Sequence, residues 1–459
     1  MPLNGPLRVE AVPYPADPAA LFAPLAELPW AVWLDSGYPA GGGRYDILSA
    51  DPLAWLQSDA QQTLIGDRDG KVQCSREDPL LLLRDWLGPR QNGAARLPFT
   101  GGALGYFGYD LGRRLLPLSQ PEAADAMPTM AMGLYDWAVV IDHWSRQAWW
   151  VGRGEQAQRA WEAWGASWCA PPALQAPEGF GLDGDIAADI SADDYLAAFA
   201  RIQHYIRAGD CYQVNYAQRF RARFRGSPWA AYRQLRALNP APYGAYLNLP
   251  CGQVLSSSPE QFLGLQGRRV TTRPIKGTRP RQTDAAADAR IRAALADSAK
   301  DRAENLMIVD LLRNDLGRVC QPGSITVPQL FAVESFATVH HLVSTVTGEL
   351  AEGCDALDLL RAAFPGGSIT GAPKLRAMQI IDELEPAARG VYCGAIGWLG
   401  VDGAMDSNIA IRTLVIQDGE VRYWAGGGIV ADSDGAAEYQ ESLDKAAAFF
   451  RLFEGMGPA

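Results

Sequence analysis

The densest group of cations in the 459-residue sequence is Arg273-Pro274-Ile275-Lys276-Gly277-Thr278-Arg279-Pro280-Arg281. Taken alone, it reads as a solvated basic loop. Two features point further. Pro274 and Pro280 stiffen the segment, and Gly277 lets a ligand approach the backbone closely. Four like charges close together also raise the cost of protonating Lys276. An unperturbed lysine, with a pKa of about 10.4, is only about 0.04% neutral at pH 7. A nucleophilic lysine needs that value lowered by burial or by neighbouring cations. Glu260 closes Ser256-Ser257-Ser258-Pro259-Glu260, at the end of a predicted strand beginning near Val254. Alone it is a surface or N-cap carboxylate. Paired with Lys276 in an apolar pocket, it would be a candidate general acid.

Two predicted helices carry acids. Around 301–318, Glu304 precedes the apolar run Leu306-Met307-Ile308-Val309. In the last helix, from about Gly435 to Phe453, Glu438, Glu441 and Lys445 share one face at i, i+3 and i+7. A solvated charged face explains this pattern, and so does a magnesium site, which needs only a few carboxylate oxygens plus water and substrate oxygens. Two glycine-rich turns, Phe364 to Lys374 and Ala425-Gly426-Gly427-Gly428-Ile429, could present backbone N–H groups to an anion. The first departs from a phosphate loop, because Lys374 follows Pro373 and Leu375 stands where Ser or Thr is required. Nucleotide binding is disfavoured, and a carboxylate ligand stays open. No G-x-S-x-G or G-x-C-x-G elbow occurs, and Cys211 and Cys393 read as packed thiols.

The elements that must position these groups fall into two parts. Eleven of the 14 tryptophans precede residue 170, among short predicted strands such as 30–34, 44–48 and 138–141. A Pro/Gly/Ala-rich stretch from Ala170 to Gly184 reads as a linker. Ser191 and Asp194 then form a capping-box pattern ahead of Tyr195, Phe199, Ile202 and Ile206, with Gly209 closing the helix. Residues 408–416 read as a strand that turns at Asp418-Gly419 into Val421–Trp424. Hydrophobic residues make up 48% and charged residues 20%, with a net charge of −11, which disfavours disorder and a general nucleic-acid binder. No apolar run is long enough to span a bilayer, no secretion signal is visible, and seven unpaired-looking cysteines suit a reducing, cytoplasmic setting.

Taken together, these segments resemble the chorismate-utilising enzymes over roughly residues 190–455. The resemblance is carried by Gly209-Asp210-Cys211-Tyr212-Gln213-Val214-Asn215, Ser258-Pro259-Glu260, Arg273 to Arg281 and Ala303-Glu304-Asn305-Leu306-Met307 running on to Asp315. Further along come His341-Leu342-Val343-Ser344, Gly371-Ala372-Pro373-Lys374, Ile409-Ala410-Ile411-Arg412-Thr413 and Glu438-Tyr439-Gln440-Glu441. The set is highly specific, although no single member is. Isochorismate and salicylate synthases carry a lysine base where this chain has Gln213. Anthranilate synthases usually carry Ala where it has Lys276. Pro274-Ile275-Lys276-Gly277-Thr278 is similar to the aminodeoxychorismate synthase branch, with anthranilate synthase component I as the alternative.

The resemblance implies an α+β fold of two large facing antiparallel sheets with helices outside. It implies an N-terminal region over 1–175 and a chorismate-binding region over 185–455, with the N-terminal part wrapping into the same body. It implies that Lys276, Glu260 and His341 are catalytic, and that Mg2+ is held by Glu304, Glu438 and Glu441. Gly277, Thr278, Ser368, Tyr392, Arg412, Gly426, Gly427, Gly428 and Lys445 would bind substrate. Chorismate and ammonia would be the substrates, with ammonia supplied by a separate glutamine amidotransferase subunit, and 4-amino-4-deoxychorismate, a 4-aminobenzoate and folate precursor, the product. Trp33-Leu34-Asp35-Ser36 departs from the Leu-Leu-Glu-Ser of feedback-regulated anthranilate synthases, whereas 239–243 still resembles the far side of that pocket. Ser36, Pro242 and Tyr243 are therefore the expected lining of a tryptophan-like pocket.

Overall fold

A computed structural model of the chain describes all residues except 1, 2, 4, 95, 119–126, 172, 175–178, 337–338 and 454–459. Among the described residues its framework is two antiparallel sheets of twelve strands each. Along the first run Leu7–Val12, Gln147–Arg153, Trp137–Asp142, Tyr45–Ser49, Ala31–Asp35, Tyr243–Leu249, Gly252–Ser258, Thr413–Gln417, Glu420–Ile429, Gln213–Gly226 and Phe180–Ala188, with Gly371–Ala372 pairing beside Gln213–Gly226. The second runs from Ile275–Pro280 through Val339–Glu349, Arg269–Arg273, Gln261–Gln266, Met405–Asn408 and Ala395–Gly400 to Gly102–Phe107, Met130–Tyr135, Ala54–Ser58, Thr63–Asp67 and Val72–Ser75, with Thr326–Ser335 pairing beside Val339–Glu349. Each sheet thus joins strands from before residue 175 to strands from after 185. Ala31–Asp35 is hydrogen-bonded to Tyr243–Leu249, and Gly102–Phe107 to Ala395–Gly400. The two segments share both sheets rather than each having its own.

The period-2 rule of a strand explains the layering. Ala138 and Val140 point into the core between the sheets, while Trp137, Val139 and Ile141 point to the opposite face. On that face the early tryptophans, Trp33, Trp137, Trp150 and Trp168, pack with Trp229 and Phe449 under the helices Gly154–Cys169, Pro228–Leu238 and Gly435–Phe450. The first sheet is therefore buried on both faces, which is why its strands read as apolar runs. The helix Ala192–Ala208 has the expected capping box at Ser191 and Asp194, and Gly209 ends it at φ 83°. The helices Pro79–Leu87 and Gly154–Cys169 were not foreseen among the short strands. The expected linker from Ala170 to Gly184 holds the start of the strand Phe180–Ala188; its residues 172 and 175–178 lie outside the described residues.

Residues 408–416, expected to form one strand, are divided between sheets. Met405–Asn408 belongs to the second, Thr413–Gln417 to the first, and 409–412 cross between them. A second crossing lies beside it, where Gly252–Ser258 in the first sheet gives way to Gln261–Gln266 in the second. The crossings are laced together: Ile409 N–H donates to Glu260 O (3.0 Å), Ser258 Oγ to Ile409 O (2.6 Å) and Ser257 N–H to Arg412 O (3.0 Å). Arg412 sits at φ 52°, a left-handed conformation that a side chain adopts only at a cost. Both crossings thus deliver a charged residue, Glu260 and Arg412, to the gap between the sheets.

Candidate active site

Lys276 enters that gap from the edge strand Ile275–Pro280, which pairs with Val339–Glu349. The ladder matches Lys276 with Leu342 but Thr278 with His341, so Gly277 is the extra residue of a bulge, at φ 75°. A Cβ there would lie 2.9 Å from the Asp301 carboxyl carbon and 2.9 Å from Leu295 Cδ1, so only glycine fits. The bulge turns Lys276 into the cleft, where its Nζ donates to Ser368 O (3.2 Å). Burial lowers the Lys276 pKa; Glu304 and Glu260 pull it back up, and Lys445 adds to the lowering. This is the direction a lysine nucleophile needs.

Glu260 is 4% exposed. Burial pushes its carboxyl up to about 7, against the opposing effects of a Ser368 hydrogen bond, the Lys276 and Arg412 charges and the Ile275 N–H. A carboxyl of this kind holds a proton near neutrality and can give it away. Burial, with the Arg412 charge next, holds His341 down to about 3, so its ring is neutral at pH 7. Its Nδ1 shares a hydrogen bond with the Thr278 hydroxyl (2.8 Å), and Phe336 lies against it at 5.6 Å between ring centroids. A neutral imidazole of this kind orients by hydrogen bonding and takes no part as an acid at neutral pH.

The opposite wall is the strand Glu420–Ile429, where Gly426, Gly427 and Gly428 pair with Ala217, Tyr216 and Asn215. Side chains are excluded at Gly426 and Gly428. A Cβ on Gly426 would lie 2.1 Å from Tyr216 O, and one on Gly428 2.3 Å from Gln213 Nε2. Gln213 is fully buried, and neither its Oε1 nor its Nε2 finds a hydrogen-bond partner. Tyr392 is stacked on Trp424, with centroids 6.0 Å apart and planes 9° from parallel. Lys445 Nζ donates to Gly426 O (2.7 Å) and pairs with Glu441 (2.7 Å).

The helix Gly435–Phe450 packs on this strand and presents Glu438 and Glu441 toward Gly427. Glu304, on Ala299–Gly317, acts on the same Lys276 charge as Glu441. Burial raises the pKa of Glu304 and of Glu438. Each is raised further by a neighbouring glutamate, Glu304 by Glu438 and Glu438 by Glu441. For Glu441, burial is outweighed by Lys445 together with Lys300 and Lys276, and its pKa falls. Among the described residues no three His, Cys, Asp or Glu side chains converge closely enough to hold a metal as placed. Glu438 accepts from the Ser433 hydroxyl (2.8 Å), and Glu441 is held by Lys445. The donors are all carboxylate oxygens under mutual repulsion, which suits a hard divalent cation in type.

Of the residues expected to line a second pocket, Pro242 and Tyr243 do line a cavity of about 350 Å³. Ser36 lies behind its wall, with its hydroxyl donated to Asp46 (2.6 Å). Pro259, Gln261 and Ile275 also line this cavity, so it backs onto the segments that carry Glu260 and Lys276. Sequence reasoning missed the buried pair Glu385–Arg389 behind the Ser368 turn, although the i, i+4 spacing of opposite charges was a legible signal. It also left Lys374 unassigned. That side chain is buried against Asp315 (2.7 Å) and Ala363 O (2.7 Å), and so pins the start of its helix to two others.

The profile described as chorismate binding enzyme matches residues 32–451. Aminodeoxychorismate synthase component 1 of Klebsiella aerogenes is 50% identical over 450 residues, 96% of each chain. Anthranilate synthase component 1 of Streptomyces coelicolor is 40% identical, covering 96% of this chain and 88% of its own. The crystal structure of anthranilate synthase component I from Streptococcus pneumoniae superposes with a TM-score of 0.80 at 33% identity, over 89% of this chain and 93% of that one. A match across nearly the whole chain, the shared two-sheet architecture and a cleft that gathers the motif residues lead to one conclusion: the chain belongs to the chorismate binding enzyme family.

Proposed function

We propose that this protein aminates chorismate at C4, giving 4-amino-4-deoxychorismate, as component I of an aminodeoxychorismate synthase. The observation that carries this reading is the pairing of Lys276, driven toward its neutral form, with Glu260, raised to about 7, across one buried turn at Ser368. The half-identical Klebsiella relative bears the same activity in its name. Gly427 and Gly428 amides, Tyr392 and Arg412 hold the enolpyruvyl carboxylate, and Thr278 and His341 face the ring. Neutral Lys276 Nζ bonds to C2. Both ring double bonds shift, C1=C2 to C1=C6 and C5=C6 to C4=C5, and the C4 hydroxyl leaves as water, taking the Glu260 proton. Ammonia then bonds to C4, and the shift back expels the lysine amine. Two displacements in succession place the new amine at C4 rather than C2.

Glu304 and Glu441, with Glu438 directly or through water, would hold Mg2+, which would supply positive charge against the ring carboxylate. The buried thiols support an external ammonia source: burial raises Cys211 and pushes Cys393 up to about 12, so neither is a glutaminase nucleophile. A separate glutamine amidotransferase subunit fits, consistent with relatives named as components.

The test is product identification by chromatography and mass spectrometry after mixing the pure chain with chorismate, magnesium and ammonium salt at raised pH. The expected product is 4-amino-4-deoxychorismate, lost in excess chelator, restored by magnesium and not formed when glutamine replaces ammonium. Formation of 2-aminobenzoate and pyruvate would instead establish anthranilate synthase activity.

A further inference from the structure

A buried ion pair lies directly behind the cleft. Arg389 is 1% exposed, and its guanidinium meets the Glu385 carboxylate in two parallel hydrogen bonds, Nε to Oε2 (2.8 Å) and Nη2 to Oε1 (2.6 Å). The remaining donors reach backbone on two different elements: Nη1 donates to Ile369 O (2.9 Å) and Nη2 to Asn215 O (2.6 Å). Glu385 Oε1 also accepts from Ala217 N–H (2.8 Å). The guanidinium lies over the Tyr109 ring at 4.7 Å and 5.9 Å from the Tyr392 ring centroid.

These contacts have one thing in common. Ile369 follows Ser368, whose carbonyl holds Lys276 Nζ. Asn215 and Ala217 are the strand partners of Gly428 and Gly426. Tyr392 stacks on Trp424, which belongs to the same strand as the glycines. A single fork of donors therefore spans the lysine side of the cleft and its glycine wall. A well-packed apolar pair would stabilise such a position as well or better, because taking two charges out of water is costly. What the ion pair adds is fixed direction: a planar guanidinium satisfies these acceptors in one geometry, which a lysine ammonium cannot match.

We infer that Glu385 and Arg389 form a positioning unit that sets the distance between the Ser368 turn and the Gly426–Gly428 strand, and so the fit of the dianionic substrate between Lys276 and the glycine amides. The unit touches no reacting atom. The inference rests on the amination reading.

The test uses the full chain carrying Arg389→Lys, with Glu385→Gln as a second variant that keeps the side-chain shape. Circular dichroism and thermal melting report the fold, calorimetric titration reports chorismate affinity, and steady-state rates separate the two substrates. Both variants should melt cooperatively. Arg389→Lys should bind chorismate more weakly and lose on the order of a hundredfold in kcat/KM for chorismate, as misplacement of reacting groups does, with KM for ammonium unchanged. Glu385→Gln should move the same quantities in the same direction by less. Variants that melt lower but keep wild-type chorismate affinity and kcat/KM would overturn the inference and leave a purely structural anchor. If Arg389→Lys fails to fold, Glu385→Gln decides by the same readouts. If wild type binds chorismate but forms no 4-amino product, the amination reading fails, while the affinity comparison still judges the positioning unit.

Discussion

At the scale of single residues, the cleft works by moving two proton affinities toward each other. Burial lowers Lys276 and raises Glu260 to about 7, which moves the base toward its neutral form and the acid toward its protonated form. The cost falls on folding. Glu260 has its pKa raised from 4.5 to about 7, so the folded state binds that proton more tightly than the unfolded chain. Its favourable contribution is complete below about pH 4.5 and is lost as pH rises through 7, a change of order 3 kcal/mol at 1.36 kcal/mol per unit. Glu260→Gln should therefore melt higher than wild type above pH 7 and show no such gain below pH 4.5. It should also lose a hundredfold or more in turnover, the scale of a missing general acid. Melting curves across pH 4 to 9 check this; identical pH dependence in both proteins would refute the assignment. Lys276 and Glu260 were legible in the sequence through the family resemblance of the segments that carry them, since each alone reads as a surface group. The neutrality of His341 was not, because it comes from burial and from Arg412, which is 71 residues away in the chain.

At the scale of elements, the site depends on two sheet crossings and one glycine wall. The wall was visible as Gly426-Gly427-Gly428, but its reason was not: Gly426 and Gly428 face a strand more than 200 residues earlier, and Gly427 faces the Glu438 and Glu441 side chains. Gly426→Ala places a Cβ 2.1 Å from Tyr216 O and 2.6 Å from Ala217 Cα, both backbone atoms that cannot yield without shifting the ladder. The variant should lose about 1–3 kcal/mol, the usual cost of overpacking, and bind chorismate more weakly. Urea unfolding and calorimetric titration measure both; wild-type values in each would contradict this account of the wall. The crossings were hidden for a different reason. Residues 408–416 have an unbroken strand-like pattern, and only pairing partners distant in sequence divide them between two sheets. Arg412 was legible as a motif residue, whereas its left-handed backbone was not.

At the scale of the whole molecule, the candidate cleft is lined by strands of the later segment, while strands of the early segment complete the two sheets that carry them. Helix caps and the period-2 layering could be read locally. The sharing of both sheets by the early and late segments could not, because it rests on long-range pairing such as Gly102–Phe107 with Ala395–Gly400. The same architecture serves relatives named for different reactions, so the outcome must be decided inside the cleft, and Lys276 is the residue on which the account turns. The most direct measurement is mass spectrometry of peptides from enzyme quenched during turnover with chorismate and magnesium, for wild type and Lys276→Ala. The account predicts a chorismate-derived adduct, with the C4 hydroxyl lost, on the wild-type peptide containing Lys276. It predicts no adduct and greatly slowed 4-amino-4-deoxychorismate formation in Lys276→Ala, with folding intact. A Lys276→Ala variant that makes the 4-amino product at the wild-type rate would contradict it.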